Sequence, residues 1–169
     1  DYRSVMPCNL YGPGDNYHIE NSHVVPAMIR RFHTAKLDDA PEVLIWGTGR
    51  ARREFLYVDD MADGCLTVMD LTRAEYEQHT TPMCAHINLG AGQDLSIAEL
   101  AELIRDVVGY RGRIRFDTSQ PDGAPRKLLD VSCAATLGWR ATVPLAEGLR
   151  RTYADYQEAL RPVQEIAHA

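Results

Sequence analysis

Apolar residues along this chain switch repeatedly between helical and strand-like spacing. Val25, Met28, Ile29 and Phe32 fall at i, i+3, i+4 and i+7, which lays one apolar stripe along a helix. Pro26 suits the first turn of that helix, where its missing N–H would have no partner anyway. Before it, residues 2–8 read as a short strand, and Tyr11 to Asn21 as a polar, turn-rich loop centred on Gly12-Pro13-Gly14-Asp15-Asn16. After it, the strand Val43-Leu44-Ile45-Trp46 runs into the turn Gly47-Thr48-Gly49. A second strand, Arg53 to Val58, leads into a helix holding Met61, Leu66, Met69 and Leu71. The adjacent Asp59 and Asp60 are tempting as paired carboxylates, but at the start of a helix they read as N-terminal caps.

The second half continues the alternation without repeating the sequence. His86 to Leu89 is a short strand closed by Gly90-Ala91-Gly92. Ser96 and Glu99 form a capping box for a helix carrying Ile97, Leu100, Leu103, Ile104 and Val107, and Gly109 stops it. Arg113 to Asp117 is another strand, and Ser119 to Pro125 a loop. Pro144 opens a last helix with Leu145, Leu149, Tyr153, Tyr156 and Leu160. Residues 162–169 read as a frayed tail. Strands and helices mixed in this order indicate α/β or α+β architecture.

Composition narrows the function classes. The 169 residues are 45% hydrophobic and carry a formal net charge of −6, as expected of a globular chain without a broad basic face. Nucleic acid and membrane surfaces are therefore not expected partners. Basic charge is nearly all arginine, since Lys36 and Lys127 are the only lysines among 18 basic residues. Arginine forks suit phosphate and carboxylate, so local anion sites fit an acidic chain. Cys8, Cys65, Cys84 and Cys133 form no C-x-x-C pair and read as buried free thiols of a cytoplasmic protein. No apolar run approaches the length of a membrane span.

Three G-x-G pairs occur, at Gly12, Gly47 and Gly90, but Tyr17, Arg52 and Leu95 stand where the third glycine of a dinucleotide fingerprint belongs. Four residues before the two lysines stand Phe32 and Gly123, so there is no Y-x-x-x-K pair either. P-loop, H-E-x-x-H and G-x-S-x-G motifs are also missing. The residues in hand do not make a complete dehydrogenase site.

Three stretches supply a resemblance: Pro7 to Pro13 (PCNLYGP), Arg53 to Asp60 (REFLYVDD) and Ile87 to Gly90 (INLG). In this order they resemble the C-terminal half of extended short-chain dehydrogenases acting on nucleotide sugars. Asp15-Asn16-Tyr17, then Asn21 to Ala27 (NSHVVPA), and Pro121 to Asp130 (PDGAPRKLLD) narrow the match to the GDP-L-fucose synthase family. The resemblance implies an α/β fold in which residues 1–11 and about 86–90 complete a Rossmann-type parallel sheet. The rest of 1–161 would then be a smaller α+β substrate-binding domain. It further implies 3,5-epimerisation of GDP-4-keto-6-deoxy-D-mannose followed by NADPH-dependent reduction at C4, in a homodimer.

The resemblance also implies roles for particular residues. His23 matches the acid that returns a proton during epimerisation, and histidine is the side chain that starts near a neutral working pH. It would stand just before the helix that contains Pro26, where the positive end of the helix dipole makes an imidazolium a readier donor. Pro7, Cys8, Asn9, Leu10 and His23 match the nicotinamide side of the NADP site. Arg31, Trp46, Arg53, Asp122 and Lys127 match the GDP-sugar site: cations for the diphosphate, a flat surface for sugar or base, a carboxylate for a hydroxyl or N–H. Taken singly, each has a plainer reading: loop histidine, solvated arginine, turn aspartate. None of the four cysteines matches the family's opposing base, which with its Ser/Tyr/Lys set would lie upstream of Asp1.

Two other readings compete. Nucleotide-sugar 4,6-dehydratases and 4-epimerases share the first three motifs but lack the histidine of residues 21–26. A non-catalytic sugar-nucleotide-binding module would also lack the fingerprint and the Tyr/Lys pair. If the chain is a piece of a longer enzyme, it is expected to be inactive and poorly soluble alone, because parallel strands want neighbours on both sides.

Overall fold

A computed structural model describes residues 1–161; the expected tail, 162–169, lies outside the described residues. In chain order the elements are β1 (Ser4–Pro7), β2 (Asn9–Tyr11), α1 (Val24–Leu37), β3 (Glu42–Trp46), β4 (Arg52–Tyr57), α2 (Val58–Asp70) and α3 (Arg73–His79). There follow β5 (His86–Leu89), β6 (Asp94–Ser96), α4 (Ile97–Val108), β7 (Arg113–Asp117), β8 (Arg126–Lys127), α5 (Ser132–Thr136) and α6 (Leu145–Ala159). No described helix is long and apolar enough to cross a membrane.

The strand expected over 2–8 is β1, and past Cys8 a second strand, β2, follows at once where none was expected. β1 runs parallel to β5, with Val5 opposite Ile87, whereas β2 runs parallel to β4, with Leu10 opposite Leu56. The chain thus leaves one sheet and enters another within two residues. Cys8 N–H donates to the Leu89 carbonyl at 3.2 Å and the Asn9 amide donates to the Glu54 carbonyl at 2.7 Å, so both sides of the crossing are pinned. The first half of β4 has different neighbours: antiparallel β6 and parallel β8. Asp94 locks those three strands by accepting from Arg52 and Arg126, which hold its carboxyl below the usual range. β3 and β7 make a separate parallel pair.

Two apolar cores follow. One packs α1, α4 and α6 against β3 and β4, centred on Ile29, Phe32, Leu100, Ile104 and Leu149. The other gathers Leu56, Val68, Ile87, Leu89 and Trp139 between β1, β5, α2 and α5. The stripes expected on α1 and α4 face the first core, and the Ser96–Glu99 capping box and the left-handed Gly109 bound α4 as expected.

α2 departs from expectation. Its buried face is Asp60, Gly64 and Val68, while Leu66 and Met69 are 64% and 65% exposed and Leu71 lies beyond the helix. The helix docks through its glycine: a Cβ at Gly64 would come within 2.9 Å of both Leu89 and Trp139, so only a bare backbone lets them this close. Nor does Asp60 cap the helix. Tyr57 is the N-cap, without a side-chain bond, and Asp60 turns inward to accept from Thr142 N–H (3.1 Å), Thr142 Oγ1 (2.7 Å) and Val143 N–H (2.9 Å). It straps the segment before α6 to the start of α2. Leu160 falls just past the end of α6 and is exposed. Cys84 is exposed rather than buried, and the other three thiols are half-buried.

Candidate functional site

His23 is the N-cap of α1, with extended backbone (φ −69°, ψ 169°) and no side-chain hydrogen bond to the helix. A serine or aspartate would satisfy a free N–H there; the imidazole leaves it unsatisfied and faces outward. It lies at the mouth of a cavity of about 490 Å³ that also takes in Pro7, Cys8, Asn9 and Leu10. The break between β1 and β2 therefore brings all five residues expected at the cofactor onto one surface. Phe55, Val24 and Val25 complete its wall.

The Cys8 thiol is pushed up to about 12, first by burial and then by the negative charge of Glu54. It is a neutral group at physiological pH and unfit to abstract a proton. On its other side His23 borders a smaller cavity of about 220 Å³, shared with Leu10 to Asp15 and Val58.

The residues expected at the GDP-sugar form a second group. The Arg31 guanidinium lies 5.8 Å from the centre of the Trp46 ring, which is 63% exposed. Both border a largely apolar cavity of about 500 Å³ walled by Ile19, Val24, Met28 and Ile45. Val24 belongs to this cavity and to that of His23, so the two abut.

Beyond Trp46 the chain turns through Gly47 (φ 82°), where a Cβ would strike the Asp122 carboxylate at 2.3 Å. That close approach lets Asp122 accept from Thr48 N–H (2.8 Å) and Thr48 Oγ1 (2.6 Å), which hold its carboxyl below the usual range. Arg53 donates through one nitrogen to the carbonyls of Arg52 (2.7 Å) and Ala124 (2.6 Å). On the neighbouring strand its register partner is Lys127. Arg53, Asp122 and Lys127 are thus gathered by one segment running along β4, and Arg31 and Trp46 adjoin through the Gly47 turn.

Glu54 is the residue that motif reading passes over. It is fully buried, accepting from Gly92 N–H at 2.7 Å and Leu129 N–H at 3.0 Å. Its carbonyl holds Asn9, so it ties the crossing at Cys8 to the Gly90–Gly92 turn and to the segment leading from Lys127. The signal available was an acid standing directly before the apolar run Phe55-Leu56-Tyr57 in β4.

The chain spans about half the length of the curated relatives it matches. It is 56% identical over 153 residues to the GDP-L-fucose synthase of Escherichia coli, covering 90% of this chain and 48% of that protein. It is 51% identical over 153 residues to GDP-L-fucose synthase 1 of Arabidopsis thaliana, covering 90% and 45%. Among solved structures, a GDP-6-OMe-4-keto-L-xylo-heptose reductase from Campylobacter jejuni superposes with a TM-score of 0.85 at 32% identity, covering 93% of this chain and 54% of that one. A GDP-L-fucose synthetase from Naegleria fowleri bound to NADP gives 0.80 at 27%, covering 92% and 46%. Residues 1–90 match the model of the NAD dependent epimerase/dehydratase family. With that match over more than half its length, and the β1–β5 and β2–β4 parallel pairs that the fold displays, the chain belongs to the NAD dependent epimerase/dehydratase family.

Proposed function

We propose that the protein to which this chain belongs is a GDP-L-fucose synthase, epimerising GDP-4-keto-6-deoxy-D-mannose at C3 and C5 and then reducing its C4 ketone. The observation that carries this reading is His23, an imidazole with no structural hydrogen bond, set on one cavity with Pro7 to Leu10. Inverting a carbon beside a ketone requires removing a proton from one face and returning one to the other. His23 returns it. Burial pushes the Cys8 thiol up, which does not suit it to the opposing base, and we assign that base to another part of the protein.

The cavity suits the nicotinamide of NADP. Its walls are largely apolar and uncharged apart from His23, and the Asn9 amide, held by Glu54, has little freedom to compete for the ring. NADPH supplies the hydride when bound. This chain's residues pack its ring edge, exclude water and hold the substrate ketone near it. The family's phosphate-binding turn is not among these residues, so the binding of the rest of the cofactor falls to another part of the protein.

Arg53 and Lys127 stand in register on adjacent strands, and like charges so placed repel. A diphosphate between them converts that repulsion into two charge-assisted contacts. Arg31 and Trp46 take the sugar or base, and Asp122 offers an acceptor beside Thr48. β1 and β5 form the end of the Rossmann-type sheet, β2 passes on into the β4 sheet, and the remainder to 161 is the substrate-binding part. The protein acts in the cytoplasm as a homodimer, with no nucleic acid or membrane partner.

The test is to incubate the full-length protein with the 4-keto sugar nucleotide and NADPH in D₂O. Deuterium at C3 and C5 of a GDP-L-fucose product is the expected result. Reduction without deuterium incorporation would favour a simple 4-reductase such as the C. jejuni enzyme it resembles in fold.

A further inference from the structure

Asp15 has one carboxylate oxygen bound and one idle. Oδ1 accepts from Asn16 N–H at 2.7 Å, whereas Oδ2 is shut off from solvent with no hydrogen-bond partner. A buried carboxylate oxygen without a partner is costly, so its retention calls for an explanation. The loop that carries it is well fixed. Gly14 N–H donates to Asp155 of α6 at 2.9 Å, the Asn16 amide reaches the Asn21 carbonyl at 3.3 Å, and the Tyr17 ring packs on Tyr156 with centres 4.3 Å apart. The second of these bonds brings the loop back to the start of α1, so that Asp15 and His23 border the same small cavity.

The electrostatics around His23 are simple enough to enumerate. Cys8, Tyr11 and Asp15 are the other titratable groups on its two cavities. Burial leaves Cys8 a neutral thiol and pushes Tyr11 up, so neither carries charge at neutral pH. Tyr17, next along the loop, is pushed up by burial and by the charges of Asp15 and Asp155. Val58 is the only contribution of α2, and the first turn of α1 has no acid. Asp15 is therefore the one charge these cavities set beside His23. Burial raises its carboxyl, while the Asn16 N–H and then the His23 charge draw it back down. Against it stands the N-terminal end of α1, which repels a cation.

We propose that Asp15 is a positioning residue for His23, its idle oxygen serving as counter-ion to the imidazolium and keeping it loaded with the proton that epimerisation consumes. The proposal rests on His23 being the acid. Asp15 itself does not touch substrate; it offsets the helix end that would otherwise discharge the imidazolium.

The experiment measures the pH–rate profile of C3/C5 deuterium incorporation for the full-length protein and for Asp15→Asn, Asp15→Glu and His23→Ala. Asparagine keeps an acceptor for Asn16 N–H and removes only the charge. We expect Asp15→Asn to move the alkaline limb down by roughly 0.5–1 pH unit, with a roughly three- to tenfold loss near pH 7.5, as removing one nearby charge does. Asp15→Glu should restore the limb, which a purely structural role would not predict. Asp15→Asn in the His23→Ala background should change nothing further. An unchanged limb in Asp15→Asn, with His23→Ala inactive, overturns the role of Asp15 alone. Full activity in His23→Ala overturns the reading of His23 itself, and this proposal with it.

Discussion

His23 and Arg53 relate to the fold in opposite ways. The imidazole of His23 makes no bond to its own helix and is exposed. Arg53, by contrast, is bonded to two carbonyls, and through Ala124 it holds the segment that presents Asp122 and Lys127. The group assigned to chemistry is free of structural duty; the groups assigned to binding are also fasteners. Activity and stability should therefore separate cleanly at the first site and travel together at the second.

That contrast is most exposed to failure at His23. His23→Ala should reduce epimerisation by roughly 10²–10⁴-fold, the usual worth of a general acid, while the melting temperature stays within a degree or two. A large loss of stability would show that the imidazole is structural after all. Next comes the strand joining the two sites. Glu54→Ala removes the acceptor of two N–H groups and leaves a buried gap, costing about 2–4 kcal/mol in denaturant unfolding. A wild-type midpoint would mean that water replaces the carboxylate.

Arg53→Ala should lose about tenfold in GDP-sugar affinity by calorimetry, about 1.4 kcal/mol, and should also melt earlier. Weaker binding at unchanged stability would break the contrast from the other side. The smallest effect is at Asp122. Its carboxyl is held low by Thr48, so the stability it confers is present above the unfolded carboxylate value near 4 and is lost as pH falls through its lower folded value. Asp122→Asn should lower stability modestly at neutral pH, where the ionised carboxylate accepts from Thr48, and flatten the acid limb, so that the variant and the wild type converge as pH falls below about 4. An acid limb of wild-type steepness would show that the Thr48 bonds do not form in solution.

What could be read from the chain divides along physical lines. α1 and α4 are legible because their signals are local: a stripe at helical spacing, a capping box, a closing glycine. The same Thr/Ser-x-x-Glu rule, applied to Thr72 and Glu75, finds α3 as well. His23 at a helix start could be placed from Pro26 nearby. The break at Cys8 could not, because it depends on which distant strands, β5 and β4, claim the two halves. Nor could the orientation of α2, where hydrophobicity points at Leu66 and Met69 while close packing selects Gly64 against Trp139. The idle oxygen of Asp15 lay equally out of reach, being a matter of what surrounds it and not of what precedes or follows it.

The two tryptophans have settled in opposite environments: Trp139 is 5% exposed within the second core, and Trp46 is 63% exposed beside Arg31. The molecule thereby carries two fluorescent reporters of different events. Acrylamide should quench Trp46 readily, and a nucleotide sugar seated on it should shield it, while Trp139 stays dark to the quencher until the chain unfolds. With Trp46→Phe the remaining emission follows folding alone, and with Trp139→Phe it follows occupancy alone. A titration and a melt can then be recorded without any label.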